Sequence, residues 1–363
     1  SPQGVLDPKP AHFAPRAKHI IHLFMNGGPS QVDTFDPKPA VNQRAGKPLP
    51  PSIKPAFTPS GVSNNPLLAS KRKWKKYGES GIPVSDWMPH TAQHVDEMTI
   101  IRSCWADGLN HVGSVCQMNT GSIVVGKPSL GAWLSYGLGT ENENLPSFVV
   151  MVDPRGGPRG GAVAWSAGFM PAAFQGTMFR SKGSPLLDLD TPRGFSHGTQ
   201  RRSLDLLARL NQIHLDERPG NSELAARLQS YELAYKMQTA AADAVDIDEE
   251  DGRTKEQYGL NGPLTTDFGR KCLLTRRLLE RGVRFIQLYS GGGADSWDAH
   301  ENCITNHTLH AGETDQPMAA LIADLKRTGL WEETLLVWGG EFGRTPTSEG
   351  VGKPGRDHNH FGF

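Results

Sequence analysis

Two patterns in this chain bring together residue types that can do chemistry. One is Trp338-Gly-Gly-Glu341-Phe-Gly-Arg344-Thr-Pro346, where an apolar run breaks at two glycines and then presents a carboxylate and a guanidinium. The other is Trp297-Asp298-Ala-His300, just after the glycine run Gly291-Gly-Gly293. On an extended loop, side chains two apart share a face, so Asp298 and His300 can address one point. His307 and His310 follow at close range, and Gly355-Arg-Asp357-His358-Asn-His360 follows the Glu341 turn. Five of the 13 histidines therefore fall between positions 300 and 360, interleaved with carboxylates. Imidazole with carboxylate is a ligand set for divalent ions such as Zn, Mn or Ca, and such ions suit hydrolysis of phosphate or sulfate esters. A single Asp-x-His is a weak signal, since an isolated histidine is usually a satisfied polar residue. Several strand ends carrying the same chemistry make a stronger one.

These groups need a frame to position them. Short apolar runs read as strands at 19–25, 98–102, 145–152, 283–289 and 334–338, the last of them buried. Helical patterns are read over 91–98, from 110 to a stop at Gly121, over 129–136, and onward from Ser203 as N-cap. Further helices are read over about 222–244, through Leu224, Leu228, Tyr231, Leu233 and Tyr235, then over 268–281 and 316–328, the last two closed by Gly282 and Gly329. Strands alternating with helices, without tandem repeats, predict an α/β fold with a mostly parallel sheet covered on both faces. Ligands in such sheets collect beyond the carboxyl ends of the strands. Residues 1–18 read as a Pro-rich tail. The rest, 19–363, reads as one domain with loop-rich insertions at about 37–89 and 153–200 and a helical insertion at about 201–245.

Composition removes several function classes. Lys plus Arg (38) balances Asp plus Glu (38) over 363 residues, so no overall field favours nucleic acid or an anionic membrane. The basic run 71–76 reads as a solvated face. No apolar run approaches the roughly 20 residues of a membrane-spanning helix. Cys104, Cys116, Cys272 and Cys303 lack C-x-x-C spacing, which leaves both disulfides and buried thiols open. The chain begins Ser1-Pro-Gln, the kind of start that a removed export signal leaves. Oligomeric state is not legible.

Five blocks together carry a resemblance: 26–39 (Asn-Gly-Gly-Pro-Ser-Gln-Val-Asp-Thr-Phe-Asp-Pro-Lys-Pro), Asn110-His with Asn119-Thr-Gly121, Trp297-Asp-Ala-His300, Gly339-Gly-Glu-Phe-Gly-Arg-Thr-Pro346 and Gly355-Arg-Asp-His358. The chain resembles a family of exported bacterial proteins, a domain of unknown function in the alkaline phosphatase and sulfatase superfamily. The resemblance implies a three-layer alkaline-phosphatase/sulfatase-like sandwich with long loop insertions, and export to the periplasm. It implies metal-dependent action on anionic esters, with sulfated glycans among the substrates.

Carried over position by position, the resemblance puts Glu341 in the place of a sulfatase metal-binding Asp, with Phe342 where a second ligand would stand. Asn26 falls where sulfatases carry an Asp pair, and Asp33 would have to fold back to help it. Counting back from Thr120 puts His111 at the nucleophile position and Ser114 at the motif serine, while the motif's own nucleophile and arginine are absent. The implied metal set is Asn26, Asp33, Asp298, His300, Glu341 and His358, with His111, Ser114 and Arg344 catalytic and Arg344 binding the anion. His111 can equally be a metal ligand or a helix cap. Superfamily members continue past the position of His358 with a further strand and histidine, which implies a missing C-terminal segment. The alternative is a degenerate sulfatase-like protein that binds glycan or a cell-envelope partner without turnover, as the absent nucleophile and Phe342 favour.

Overall fold

A computed structural model describes residues 5–180, 194, 196–218, 224, 231–237, 242–350 and 352–362. Its centre is a five-stranded sheet in the order β5-β4-β6-β1-β7, made of β1 (His19–Met25), β4 (Phe148–Met151), β5 (Thr177–Phe179), β6 (Phe285–Ser290) and β7 (Thr334–Gly339). Every pairing in it is parallel. The middle strands are apolar on both faces because both faces are covered. Ile21, Leu23 and Met25 of β1 pack with the helices Thr266–Glu280 and Cys303–Thr328 on one side. Phe24 packs on the other side with Phe148, Phe285, Tyr289 and Val115, the last on the helix His111–Thr120. Two short antiparallel ribbons lie outside the sheet: β2 (Trp74–Tyr77) with β3 (Ile82–Ser85), and β8 (Gly343–Arg344) with β9 (His358–Asn359).

The strand order places the site. From β1 the chain crosses over β6 to reach β4, and from β6 it crosses over β1 to reach β7. Connections leaving neighbouring strands β1 and β6 thus run in opposite directions, and the carboxyl ends of such a strand pair are where open α/β sheets hold ligands. Met25 pairs with Ser290, and Phe24 with Gly339, so Asn26, the 291–298 loop and Glu341 start from the same edge of the sheet.

Several expected elements differ. Residues 98–102 form no strand: they run unpaired over the surface with Ile101 63% exposed, so their β-branched pattern has no sheet to join. The 334–338 run is a strand, but β7 ends the sheet among the described residues and is mostly half-buried. The helix expected from Ser203 is His197–Asp216, capped by Ser196, whose side chain accepts from the Thr199 N–H. The 316–328 helix begins thirteen residues earlier, at Cys303, and Asn302 caps it. Gln316-Pro317 has the look of a helix start, since proline favours the first turn, yet Pro317 lies inside this helix. Part of the expected 222–244 helix, including Leu228, lies outside the described residues. All four cysteines are free thiols.

The longer helix carries His307 and His310 into the core, both wholly buried. His307 Nε2 accepts the Ser30 N–H at 2.8 Å, which favours the neutral ring. Burial pushes its pKa down to about 3, and that of His22 on β1 down to about 4. Because both folded pKa values lie below the unfolded one, their contribution to stability is complete above about pH 6.5 and is lost as pH falls towards 4 and then 3. At about 1.4 kcal/mol per pKa unit the loss is several kcal/mol. Chemical denaturation of metal-free protein from pH 7 to pH 4 is expected to show this decline. His22→Gln should flatten its upper part, and an unchanged slope in that variant would contradict the assignment.

Candidate metal centre

Glu341 sits just beyond β7 and is 1% exposed. Its carboxylate accepts the Gly27 N–H at 2.9 and 3.1 Å, which ties the ends of β7 and β1 together. Gly27 has φ +105°, and a Cβ there would stand 2.5 Å from the Asp298 backbone nitrogen, so only glycine lets the 291–298 loop approach. The Trp297 N–H donates to Asn26 O at 2.8 Å, and the Gly291 N–H donates to Asp153 Oδ2 at 2.9 Å. These bonds aim Asp298. Its carboxylate is held from behind by Arg344 Nη2 at 2.7 Å.

Around Asp298 stand three imidazoles. His300 Nε2 is 2.9 Å and His358 Nε2 3.3 Å from Oδ1, while His111 Nε2 is 2.9 Å from Oδ2. The two nitrogens His300 Nε2 and His358 Nε2 face each other at 3.1 Å. On the far side of two of the rings an acceptor holds Nδ1, Glu341 Oε1 at 2.6 Å for His111 and Leu109 O at 3.1 Å for His358, while His300 Nδ1 has Glu349 Oε2 at 3.2 Å without an aligned hydrogen bond. Those two acceptors favour the proton on Nδ1 and leave the Nε2 lone pairs of His111 and His358 pointing inward, the arrangement that supports metal-bound histidine. His111 Nε2 is buried and, for all its closeness to Asp298, has no aligned hydrogen-bond partner.

The donor set fits a divalent cation. Metal–ligand bonds of about 2.0–2.1 Å place the donors of a tetrahedral ion about 3.3 Å apart; here Asp298 Oδ1, His300 Nε2 and His358 Nε2 stand 2.9 to 3.3 Å from one another, and all four donors lie within 4.8 Å. His111, Asp298, His300 and His358 can together hold one ion. His300, Glu349 and Asp357 also cluster. There Glu349 Oε2 at 3.2 Å and Asp357 Oδ1 at 3.8 Å lie beside Nδ1 of a ring whose Nε2 already points to Asp298, so they add negative charge behind His300.

Electrostatics agree with a charge-hungry centre. Burial works against ionised Asp298, but the three imidazoles and Arg344 outweigh it and hold its carboxyl far below the usual range. Burial likewise opposes protonated His111 and His300, yet Asp298, with Glu341 and Glu349, raises both. His358 is lowered, by burial first and then by Arg344 and His111. Phe342 is 1% exposed, with its ring 5.0 Å from that of His111 and 4.4 Å from that of His358, so it stands as an apolar wall beside the cluster.

Not every expected site residue joins the cluster. Asp33 is bound by Arg356 Nε at 2.7 Å and by the Ser30 hydroxyl at 2.6 Å, away from the imidazoles. Asn26 donates to Gly291 O at 3.3 Å, linking two loops. Glu341 orients His111 rather than standing among the four inward donors. The Ser114 hydroxyl is wholly buried and donates to Gly108 O at 2.8 Å, so it is no free nucleophile. Arg344 is 0% exposed and bonds the carbonyls of Gly27, Gly28 and Arg356 besides Asp298, leaving no face for a ligand. His307, His310 and His360 lie outside the group. Glu349 carried no sequence signal, because it acts from an irregular loop. Asp357 lay inside a quoted motif without a role.

Residues 17–363 match the model of a family described as a protein of unknown function, DUF1501. No curated protein and no solved structure matches this chain.

Proposed function

We propose that this chain, which belongs to the DUF1501 family of proteins of unknown function, is a metal-dependent hydrolase of phosphate or sulfate esters on a sulfatase-like frame. The observation that carries the reading is the convergence of three Nε2 atoms on the Asp298 carboxylate, with the Nδ1 of His111 and of His358 held by an acceptor. A bound divalent ion would supply Lewis-acid charge to the oxygens of an anionic ester. The protein's own groups do the rest. Glu341 keeps the proton on His111 Nδ1, Arg344 keeps Asp298 ionised and aimed, and Phe342 walls off the cluster from water on one side. With Ser114 committed to Gly108 O, water is the nucleophile this reading requires. Action on sulfated glycan after export to the periplasm belongs to the same proposal.

A second reading keeps the centre but not the turnover: a glycan- or envelope-binding protein. The commitment of both Ser114 and Arg344 to backbone carbonyls favours it. A screen of aryl phosphates and aryl sulfates with Mn, Zn and Ca separates the two. The hydrolase reading expects turnover that chelator removes and that His300→Ala lowers by at least about 100-fold, the scale of losing a catalytic metal ligand. Metal-loaded protein inactive on every ester would favour binding alone.

A further inference from the structure

Two arginines share the glycine-rich loop after β4, and they are used differently. Arg155 is an anchor, paired with Asp153 at 2.8 Å, Asp295 at 2.9 Å and Glu313 at 2.9 Å. Arg159 reaches the centre instead: its Nη2 stands 3.5 Å from Asp298 Oδ2, on the carboxylate oxygen that also faces His111, and its side chain is 44% exposed. Among the described residues that long contact is its one ion pair. Arg344, by contrast, is sealed in the interior.

The loop next to Arg159 rests on the first turn of the helix His111–Thr120. A Cβ on Gly160 would stand 3.7 Å from Val112 Cγ1 and 4.0 Å from Val112 O, and Gly160 has φ +95°. The N-terminus of this ten-residue helix therefore opens beside Arg159 at the centre, with Asn110 as its cap and the exposed Val112 on its rim. The backbone N–H groups of a first turn lack intrahelical acceptors and carry partial positive charge; here Asn110 Oδ1 takes that of Gly113, which leaves those of His111 and Val112 for a ligand. A planar guanidinium matches the oxygens of a tetrahedral anion two at a time. The guanidinium thus stands against the imidazole cluster, and the residue after it against the helix end.

We propose that Arg159, with the first turn of the helix that begins at His111, forms the subsite for the tetrahedral oxyanion of the substrate, whether phosphate or sulfate. The proposal rests on the ester-hydrolase reading for its substrate class. In it, Arg159 exchanges its long contact with Asp298 for the oxygens of the anion, while Arg344 goes on holding Asp298. Arg159 contacts substrate; it does not hold the metal.

The test is calorimetric titration of Mn-supplied full-length protein with inorganic phosphate and, separately, with inorganic sulfate, beside a titration of Mn itself. Wild type is expected to bind at least one of the two anions, and which one identifies the ester. Arg159→Ala should weaken that anion about tenfold or more, the loss expected for a charge-assisted bidentate contact, with Mn affinity within about twofold. Arg159→Lys should recover only part. Equal anion affinity in wild type and Arg159→Ala overturns the proposal, as does a wild type that binds neither anion. Failure of the hydrolase reading looks different: the anion result holds while no ester is turned over, or while Mn does not bind at all.

Discussion

Asp298→Ala is expected to leave the purified protein without stoichiometric metal and to lower its stability. One Asp298 oxygen lies within 3.3 Å of His300 Nε2 and His358 Nε2, and the other within 2.9 Å of His111 Nε2. Removing the carboxylate deletes the only anion among the four inward donors, so metal affinity should fall by more than about 100-fold, beyond the loss typical for a supporting hydrogen bond. It also strips the buried Arg344 of the one anionic partner it has among the described residues and leaves it neutral carbonyls. Breaking a buried pair on one side costs about 3–5 kcal/mol, and Arg344's carbonyl partners should keep the loss near the lower end. Asp298→Asn preserves the shape and one acceptor oxygen, so it should lose metal with a smaller loss of stability. Elemental analysis after dialysis, with denaturant titration of the chelated protein, reads both quantities. Full metal content in Asp298→Ala would place the centre elsewhere.

Asp33→Ala should give the opposite pattern, with metal retained and stability lost. Asp33 and Arg356 form a pair at 2.7 Å, with side chains 6% and 1% exposed. Burial favours the neutral acid, but Arg356 and Ser30 reverse that and lower the Asp33 pKa. Among the described residues, Arg356 otherwise reaches only the carbonyls of Thr345 and Leu68. Taking the carboxylate away leaves an uncompensated buried guanidinium and should cost about 3–5 kcal/mol. Replacing both partners, as Asp33→Leu with Arg356→Met, should recover much of that loss, because the desolvated charges go together. Metal loss in Asp33→Ala at undiminished stability would restore Asp33 as a ligand.

These two carboxylates show where sequence reasoning reached and where it stopped. Asp298 and His300 were legible because a two-residue spacing after a glycine turn needs only local geometry. The strands behind them were legible because parallel strands buried on both faces read as continuous apolar runs, as His19–Met25 and Phe285–Ser290 do. His358 was reachable because its motif followed the Glu341 turn, and the structure brings the two together through the β8–β9 ribbon, where Arg344 pairs with His358. Asp33 was misleading for a physical reason: a carboxylate near a strand end looks the same in sequence whether a cation or a guanidinium meets it, and Arg356 lies over 300 positions away. The fates of Arg344 and Arg159 turned on burial, which composition does not encode. Glu341 lay in the expected place with a different task, since its distance to His111 Nδ1 makes it the partner of a ligand. His307 and His310 went to the core because the helix begins at Cys303, and Pro317 hid that start.

The central claim is that three imidazoles and one carboxylate hold a divalent ion at the carboxyl edge of the sheet. X-ray absorption spectroscopy of Zn-loaded protein tests it most directly, because imidazole rings give a distinct multiple-scattering signature. The account predicts a first shell at about 2.0–2.1 Å with three imidazoles, falling to two in His111→Ala, in His300→Ala and in His358→Ala, and unchanged in His307→Gln. A shell without imidazole, or one indifferent to His111, would contradict it.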